Sequence, residues 1–224
     1  MPSIKQDGNV WTLRNTKGNE LKVSENGARV VSMRFRDKGF TNRFLLKDDA
    51  SKVFVDGAAC DILWHGEQTD EGVKFTADIN GKSACIIYSL SNDNEISIRY
   101  AADVNDITTQ LVFDGNVLPD VDIRGCQKGA AWEKISGAKT YPVTEPAEVM
   151  MEVGMFGYDP GCPIDYLDGG LKNAANLFCD GASIEIIVYA TQDSITAEAV
   201  DGGFALKTAG ASKGQTVYML KNRK

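Results

Sequence analysis

The chain has 224 residues, with 31 acidic against 24 basic side chains and a net charge of −7. That length suffices for one sizeable core, and a β-sandwich of this size is commonly one unit, so residues 1–224 are expected to form a single domain. The acidic balance argues against a nucleic-acid backbone or an anionic membrane surface as partner, because both need positive potential. Met1–Asp7 lacks the apolar core of a signal peptide and no apolar run reaches the length of a membrane span, so a cytoplasmic protein is expected. The five cysteines, Cys60, Cys85, Cys126, Cys162 and Cys179, are odd in number, widely spaced and without a Cys-x-x-Cys pair. Neither a disulfide framework nor a zinc site is indicated.

Short alternating runs begin at once. Trp11–Arg14 and Glu20–Ser24 flank the turn-rich Asn15-Thr16-Lys17-Gly18-Asn19 and read as a hairpin. Ala28–Arg36 follows as a strand with Val31, Met33 and Phe35 on one face. From Asn42 to Glu67 the pattern is weak, with apolar pieces at Phe44-Leu45-Leu46 and Ile62-Leu63-Trp64. It recovers at Glu71–Ile79, which runs into Asn80-Gly81, the strongest short hairpin signal, and returns through Ser83–Leu90. Glu95–Val104, with Ile96, Ile98 and Tyr100 on one face, completes an antiparallel meander.

Thr108–Phe113, a broken run over Asn116–Arg124, Ala130–Lys139 and Ala147–Val153 are further strand candidates. Leu171–Cys179 and Ser183–Ala190 form a second hairpin across Asp180-Gly181, although the Ala- and Asn-rich Leu171–Phe178 is also compatible with a short helix. Ile195–Val200, Phe204–Thr208 and Gln215–Leu220 close the chain. Some fifteen or more short strands and almost no helical period describe an all-β, antiparallel sandwich, expected to have two sheets. No glycine-rich nucleotide motif joins a strand to a helix and no cofactor is expected. His65 is the only histidine, which leaves no Ser-His-Asp arrangement to argue.

The stretch Gly157–Gly170 has no hydrophobic period and collects Asp159, Asp165 and Asp168 beside Tyr158 and Tyr166. Its glycines and prolines make it a loop, and its acceptors suit a hydroxylated ligand. Asp165 and Asp168 also have the bare spacing of paired acids in a glycosidase or lyase.

Several motifs in fixed order resemble those of aldose 1-epimerase (galactose mutarotase) proteins. They are Asn26-Gly27-Ala28 with Val30-Val31-Ser32-Met33, then Asn94-Glu95-Ile96-Ser97-Ile98-Arg99-Tyr100, then Gly157-Tyr158-Asp159. Leu171–Ala175, the strand holding Glu185, Gly203-Phe204-Ala205-Leu206-Lys207-Thr208 and Lys213-Gly214-Gln215-Thr216 follow. The resemblance is collinear from end to end and implies a large galactose mutarotase-like β-sandwich with a concave sugar-binding face.

In that family a glutamate is the general base toward the anomeric hydroxyl, and a histidine in an Asn-His-x-Tyr-Phe-Asn segment protonates the ring oxygen. Ring opening needs both groups, in complementary protonation states, at the two ends of the O–C–O unit. Here Lys207 stands at the glutamate position, and Thr108–Asn116, where the histidine segment should fall, holds none. A lysine at neutral pH is an ammonium and accepts no proton unless its environment lowers its pKa by several units. The expectation is therefore a protein that binds a small carbohydrate or glycan without epimerase chemistry, or serves as an interaction module on that scaffold. The binding candidates are Asp159, Tyr158, His65, Trp64, Trp132 and Lys207, because aromatic faces pack on sugar rings and polar groups take hydroxyls. The alternative is an active epimerase with substituted residues, for which Asp114 is the acid candidate and Asp159 or Glu185 the base. No metal ligand set is expected.

Overall fold

Why the strands associate as they do is clearest at the N-terminus. A computed structural model describes residues 2–48, 50–123, 127–131, 137–143 and 170–222. In it β1 (Ser3–Asp7), β2 (Val10–Arg14), β3 (Glu20–Ser24), β4 (Arg29–Arg36) and β5 (Asn42–Phe44) form a sheet in chain order. β1 escapes a periodicity reading because Lys5, Gln6 and Asp7 are exposed and only Ile4 packs against the core. Its pairing is set by the two-residue Gly8-Asn9 turn, in which Gly8 has φ +57°. In β4 the expected alternation fails by one residue. Lys22 pairs with Ser32 but Val23 pairs with Val30, so Val31 is the extra residue of a β-bulge and Val30, Met33 and Phe35 face the core.

The chain continues through β6 (Lys52–Val55), β7 (Ala58–Ala59), β8 (His65–Gln68), β9 (Val73–Ile79), β10 (Lys82–Leu90), β11 (Glu95–Ala102) and β12 (Ile107–Asp114). Then come β13 (Asp120–Ile123), β14 (Gln127–Ala131), β15 (Lys139–Pro142), β16 (Lys172–Cys179) and β17 (Ile184–Ala190). β18 (Ser194–Val200), β19 (Gly203–Thr208) and β20 (Lys213–Asn222) complete the set. A nine-stranded sheet has the order β14-β13-β16-β17-β20-β11-β10-β9-β8, and a six-stranded sheet the order β15-β18-β19-β12-β6-β7. All pairings are antiparallel. The antiparallel β-sandwich is as expected, but its strands occupy three sheets rather than two. After β5 the chain leaves the first sheet and reaches the six-stranded one through the Leu46–Phe113 bridge and the Lys47 N–H, which donates to the Val112 carbonyl at 2.9 Å.

The Asn80-Gly81 hairpin forms as expected, both residues having positive φ. The segment expected as a possible helix over Leu171–Phe178 is strand from Lys172 on: β16 pairs with β13 on one side and β17 on the other, and this tertiary pairing outweighs the helix preference of its alanines. The expected Ala130–Lys139 strand is replaced by the end of β14 and the start of β15, which belong to different sheets, with residues 132–136 outside the described ones. Ala147–Val153 also lies outside them. No helix among the described residues is long and apolar enough to cross a membrane.

One apolar cluster joins residues of all three sheets. Phe113 of β12 stacks on Phe204 of β19 with centroids 5.4 Å apart and leans on Tyr218 of β20 at 6.1 Å, which couples the six- and nine-stranded sheets. One polar pair lies inside the core region. The buried Gln192 amide donates to the Tyr100 hydroxyl at 2.6 Å, and burial pushes the phenol up to about 12 against the lowering effect of hydrogen bonds with Gln192 and Thr208. Gly214 sits opposite Tyr100, where a Cβ would come within 2.1 Å of the Gln192 amide nitrogen and 2.5 Å of the Tyr100 oxygen.

The turn before β5 depends on Asp37. Its carboxylate accepts from the Thr41 N–H at 2.9 Å and from Arg43 Nε at 2.9 Å. The Thr41 N–H lowers its pKa most, burial opposes, and Arg43 lowers it further, leaving it below the ordinary 3.8. A depressed carboxyl contributes stability that is complete above its unfolded-state value and lost as pH falls through the native one. Asp37→Ala should therefore reduce the melting temperature at neutral pH, and the gap between variant and wild type should close on titration to about pH 2. A gap that persists unchanged in acid would show that the carboxylate charge is not the cause.

Candidate functional site

In the six-stranded sheet each strand alternates between the core and the opposite, outer face. On β12, Ile107, Leu111 and Phe113 belong to the core, which leaves Gln110 and Asp114 outside. On β19, Phe204 and Leu206 point inward and Lys207 outward. Register does the rest. Gln110 pairs with Lys207 on one side and with Lys52 of β6 on the other, Lys207 pairs with Thr196 of β18, and Thr196 pairs with Thr140 of β15. Thr140, Thr196, Lys207, Gln110 and Lys52 thus form one row across five strands, about 19 Å long at the usual strand spacing.

The row is polar and ordered. The Thr140 and Thr196 hydroxyls lie 2.9 Å apart. Lys207 Nζ stands 4.2 Å from the centroid of the Phe54 ring, where the ring quadrupole attracts a cation. Lys207, Gln110, Thr196 and Phe54 are half-buried, while Lys52 and Thr140 are exposed. Chemically the row offers ammonium donors, an amide that donates and accepts, two hydroxyls and a flanking aromatic face. It contains no carboxylate. Glu198, on the same face of β18 but opposite Ala205, is diagonal to Lys207, a separation of about 7–8 Å between strand positions.

The other expected residues are placed elsewhere. Asp114 shares this sheet face, but it pairs with Gly203, four residues along the ladder from the Gln110–Lys207 pair and roughly 13 Å away. Its Oδ1 accepts from the Asn116 backbone N–H at 2.8 Å and from the Asn116 amide at 3.0 Å, which makes it a turn-forming residue. Trp64 is 1% exposed and part of the core, so it presents no face to a ligand. His65 is exposed at the edge strand β8 of the nine-stranded sheet, opposite Thr76. Glu185 is on that same sheet, between Phe178 and Lys221. Tyr158, Asp159, Trp132, Asp165 and Asp168 lie outside the described residues. Among the described residues no group of three or more His, Cys, Asp or Glu is disposed to hold a metal ion.

Gln110, Thr196, Glu198 and Phe54 escape the sequence reading. For Gln110 a signal existed. If Phe113-Asp114 is set against the Phe-Asn end of Asn-His-x-Tyr-Phe-Asn, the histidine position falls on Gln110. Gln110 and Lys207 are direct cross-strand neighbours, an amide beside an ammonium.

No family model matches the chain, and no curated protein matches it by sequence. Among solved structures, a GalM/aldose epimerase homologue from C. elegans aligns over 100% of both chains with a TM-score of 0.68 and 10% identity. The galactose 1-epimerase of Lactobacillus acidophilus aligns over 100% of this chain and 99% of its own, with a TM-score of 0.54 and 14% identity. At such identities the likeness is one of fold: the chain has the galactose mutarotase-like β-sandwich fold.

Proposed function

We propose that this protein binds a small carbohydrate on the outer face of its six-stranded sheet and does not interconvert anomers. The observation that carries this reading is the Gln110–Lys207 pair. Both side chains hydrogen-bond to hydroxyls, but an amide is no general acid and an ammonium is no base, so the pair holds a sugar without opening its ring. The Phe54 ring beside Lys207 supplies an apolar surface of the kind that packs on a pyranose. Fold alone is not the argument, since one scaffold hosts many functions.

A panel of aldoses and disaccharides should raise the melting temperature of the wild-type protein, and Lys207→Ala should weaken the best binder by about tenfold, the effect of losing one charged hydrogen bond. Polarimetry of fresh α-D-glucose and α-D-galactose should give the buffer rate with or without protein. A second reading, an active epimerase with substituted groups, has one observation in its favour: Glu198 stands diagonal to Lys207 on the same face. Accelerated mutarotation abolished by Glu198→Gln would establish that reading and remove the first.

A further inference from the structure

The outer face of the N-terminal sheet carries an unusual concentration of positive charge for a chain of net charge −7. At one end of it the β2–β3 turn and the facing strands enclose a cleft of about 440 Å³ lined by Arg14, Thr16, Lys17, Arg34, Arg36 and Asn42 among others. Four of these are cations. Glu20, a neighbour of the cleft, is shared: its oxygens lie 3.1 Å from Arg34, 3.7 Å from Arg14 and 3.8 Å from Lys22. Lys17 Nζ lies 3.9 Å from the solvated Asp93. The Arg36 guanidinium lies 5.0 Å from the centroid of the Phe40 ring rather than on a carboxylate. Glu20 and the solvated Asp93 are two acids against these four cations and Lys22, so the cleft holds a net positive potential.

The cleft is also built in advance. Asn15 Oδ1 accepts from the Lys17 and Asn19 N–H groups at 3.1 and 3.0 Å, while its amide donates to the Ser91 carbonyl and Asn94 Oδ1, both at 3.0 Å. The Asn19 amide donates to Asn94 Oδ1 at 2.6 Å, and Asn19 Oδ1 accepts the Arg36 N–H at 2.8 Å. Asn15 and Asn19 are buried, so the backbone of the turn is fixed to the β10–β11 turn without help from a ligand, which removes that part of the ordering cost of binding. Beside it, Phe44 pairs with Arg34 across the sheet, and Phe40 and Phe44 are 74% and 57% exposed. Arginine forks suit tetrahedral oxyanions, and exposed rings next to them suit a ligand with an apolar face.

We propose that this cleft binds a phosphate or sulfate oxyanion carried on a small ring-bearing molecule. It lies on a different sheet from the Gln110–Lys207 row, and the inference is independent of the function proposed there. The test is a titration of the ¹⁵N-labelled full chain at low salt with inorganic phosphate, then with glucose 6-phosphate and with glucose. Phosphate should give saturable shifts at residues 14–18 and 34–36, weakened at least about tenfold by the double substitution Arg14→Gln, Arg36→Gln. The spectrum of the double variant should match wild type outside the cleft, which shows that the fold is kept. Tighter binding of glucose 6-phosphate than of phosphate, with added shifts at Phe40 and Phe44 and none there from glucose, supports the ring-bearing ligand; equal affinity overturns that part. Absence of saturable phosphate shifts, or shifts undiminished in the double variant, overturns the site.

Discussion

Gly203→Ala is expected to destabilise the protein by about 3 kcal/mol and to lower its melting temperature by roughly 6–12 °C. A Cβ on Gly203 would lie 2.0 Å from the Phe113 carbonyl oxygen and 3.2 Å from its carbon, and both atoms are backbone and cannot swing aside. Relief requires β19 to move away from β12. That movement disturbs the ladder that sets Lys207 against Gln110, so the sugar response should weaken together with stability. Chemical denaturation and a sugar titration of the same variant check both effects. A variant with wild-type stability would mean that the two strands are not held at this distance.

Phe113→Ala should cost about 3–5 kcal/mol, the range for removing a large buried aromatic. Its ring is fully buried between Phe204 and Tyr218, so truncation leaves a cavity where the six- and nine-stranded sheets meet. Phe113→Leu refills most of that volume and should recover a good part of the loss, because volume-conserving swaps are tolerated best. Urea unfolding of the two variants tests the ranking. Equal loss in both would point to the aromatic stacking itself rather than the filled volume.

The strands that the sequence announces are those with alternating apolar and polar residues and explicit turn chemistry, such as Val73–Ile79 with Asn80-Gly81; β11 shows the same alternation of Ile96, Ile98 and Tyr100 with Ser97 and Arg99, although both of its faces are buried. What it hides has physical causes. A bulge shifts β4 by one residue, and nothing in the Val30-Val31 pair says which valine is the extra one. β1 is held by its turn and its partner strand, and its own residues are polar. The sandwich class is legible in the number of short strands, but the division into three sheets is set by long-range pairings such as β11 with β20 and β12 with β19.

The candidate site is legible only in part. Lys207 stands out because it falls, in the motif that resembles the aldose 1-epimerase pattern, where that pattern has its glutamate base. Gln110, Thr196 and Phe54 become its neighbours only through register across β6, β12, β19 and β18, which no local pattern encodes. Trp64 illustrates the opposite case. As a tryptophan beside the only histidine it reads as a sugar platform, yet it is a core residue, because the same apolar surface that packs on a sugar also packs on a protein interior.

The Thr196–Lys207–Gln110 row is the proposed seat of the carbohydrate. The most direct test is an amide chemical-shift map of the ¹⁵N-labelled protein titrated with D-galactose, D-glucose and their disaccharides. Saturable shifts centred on residues 108–112, 194–198 and 205–208, lost in Lys207→Ala, are the predicted result. Saturable shifts that leave these strands unmoved, or no shift from any sugar up to the millimolar range, would contradict it.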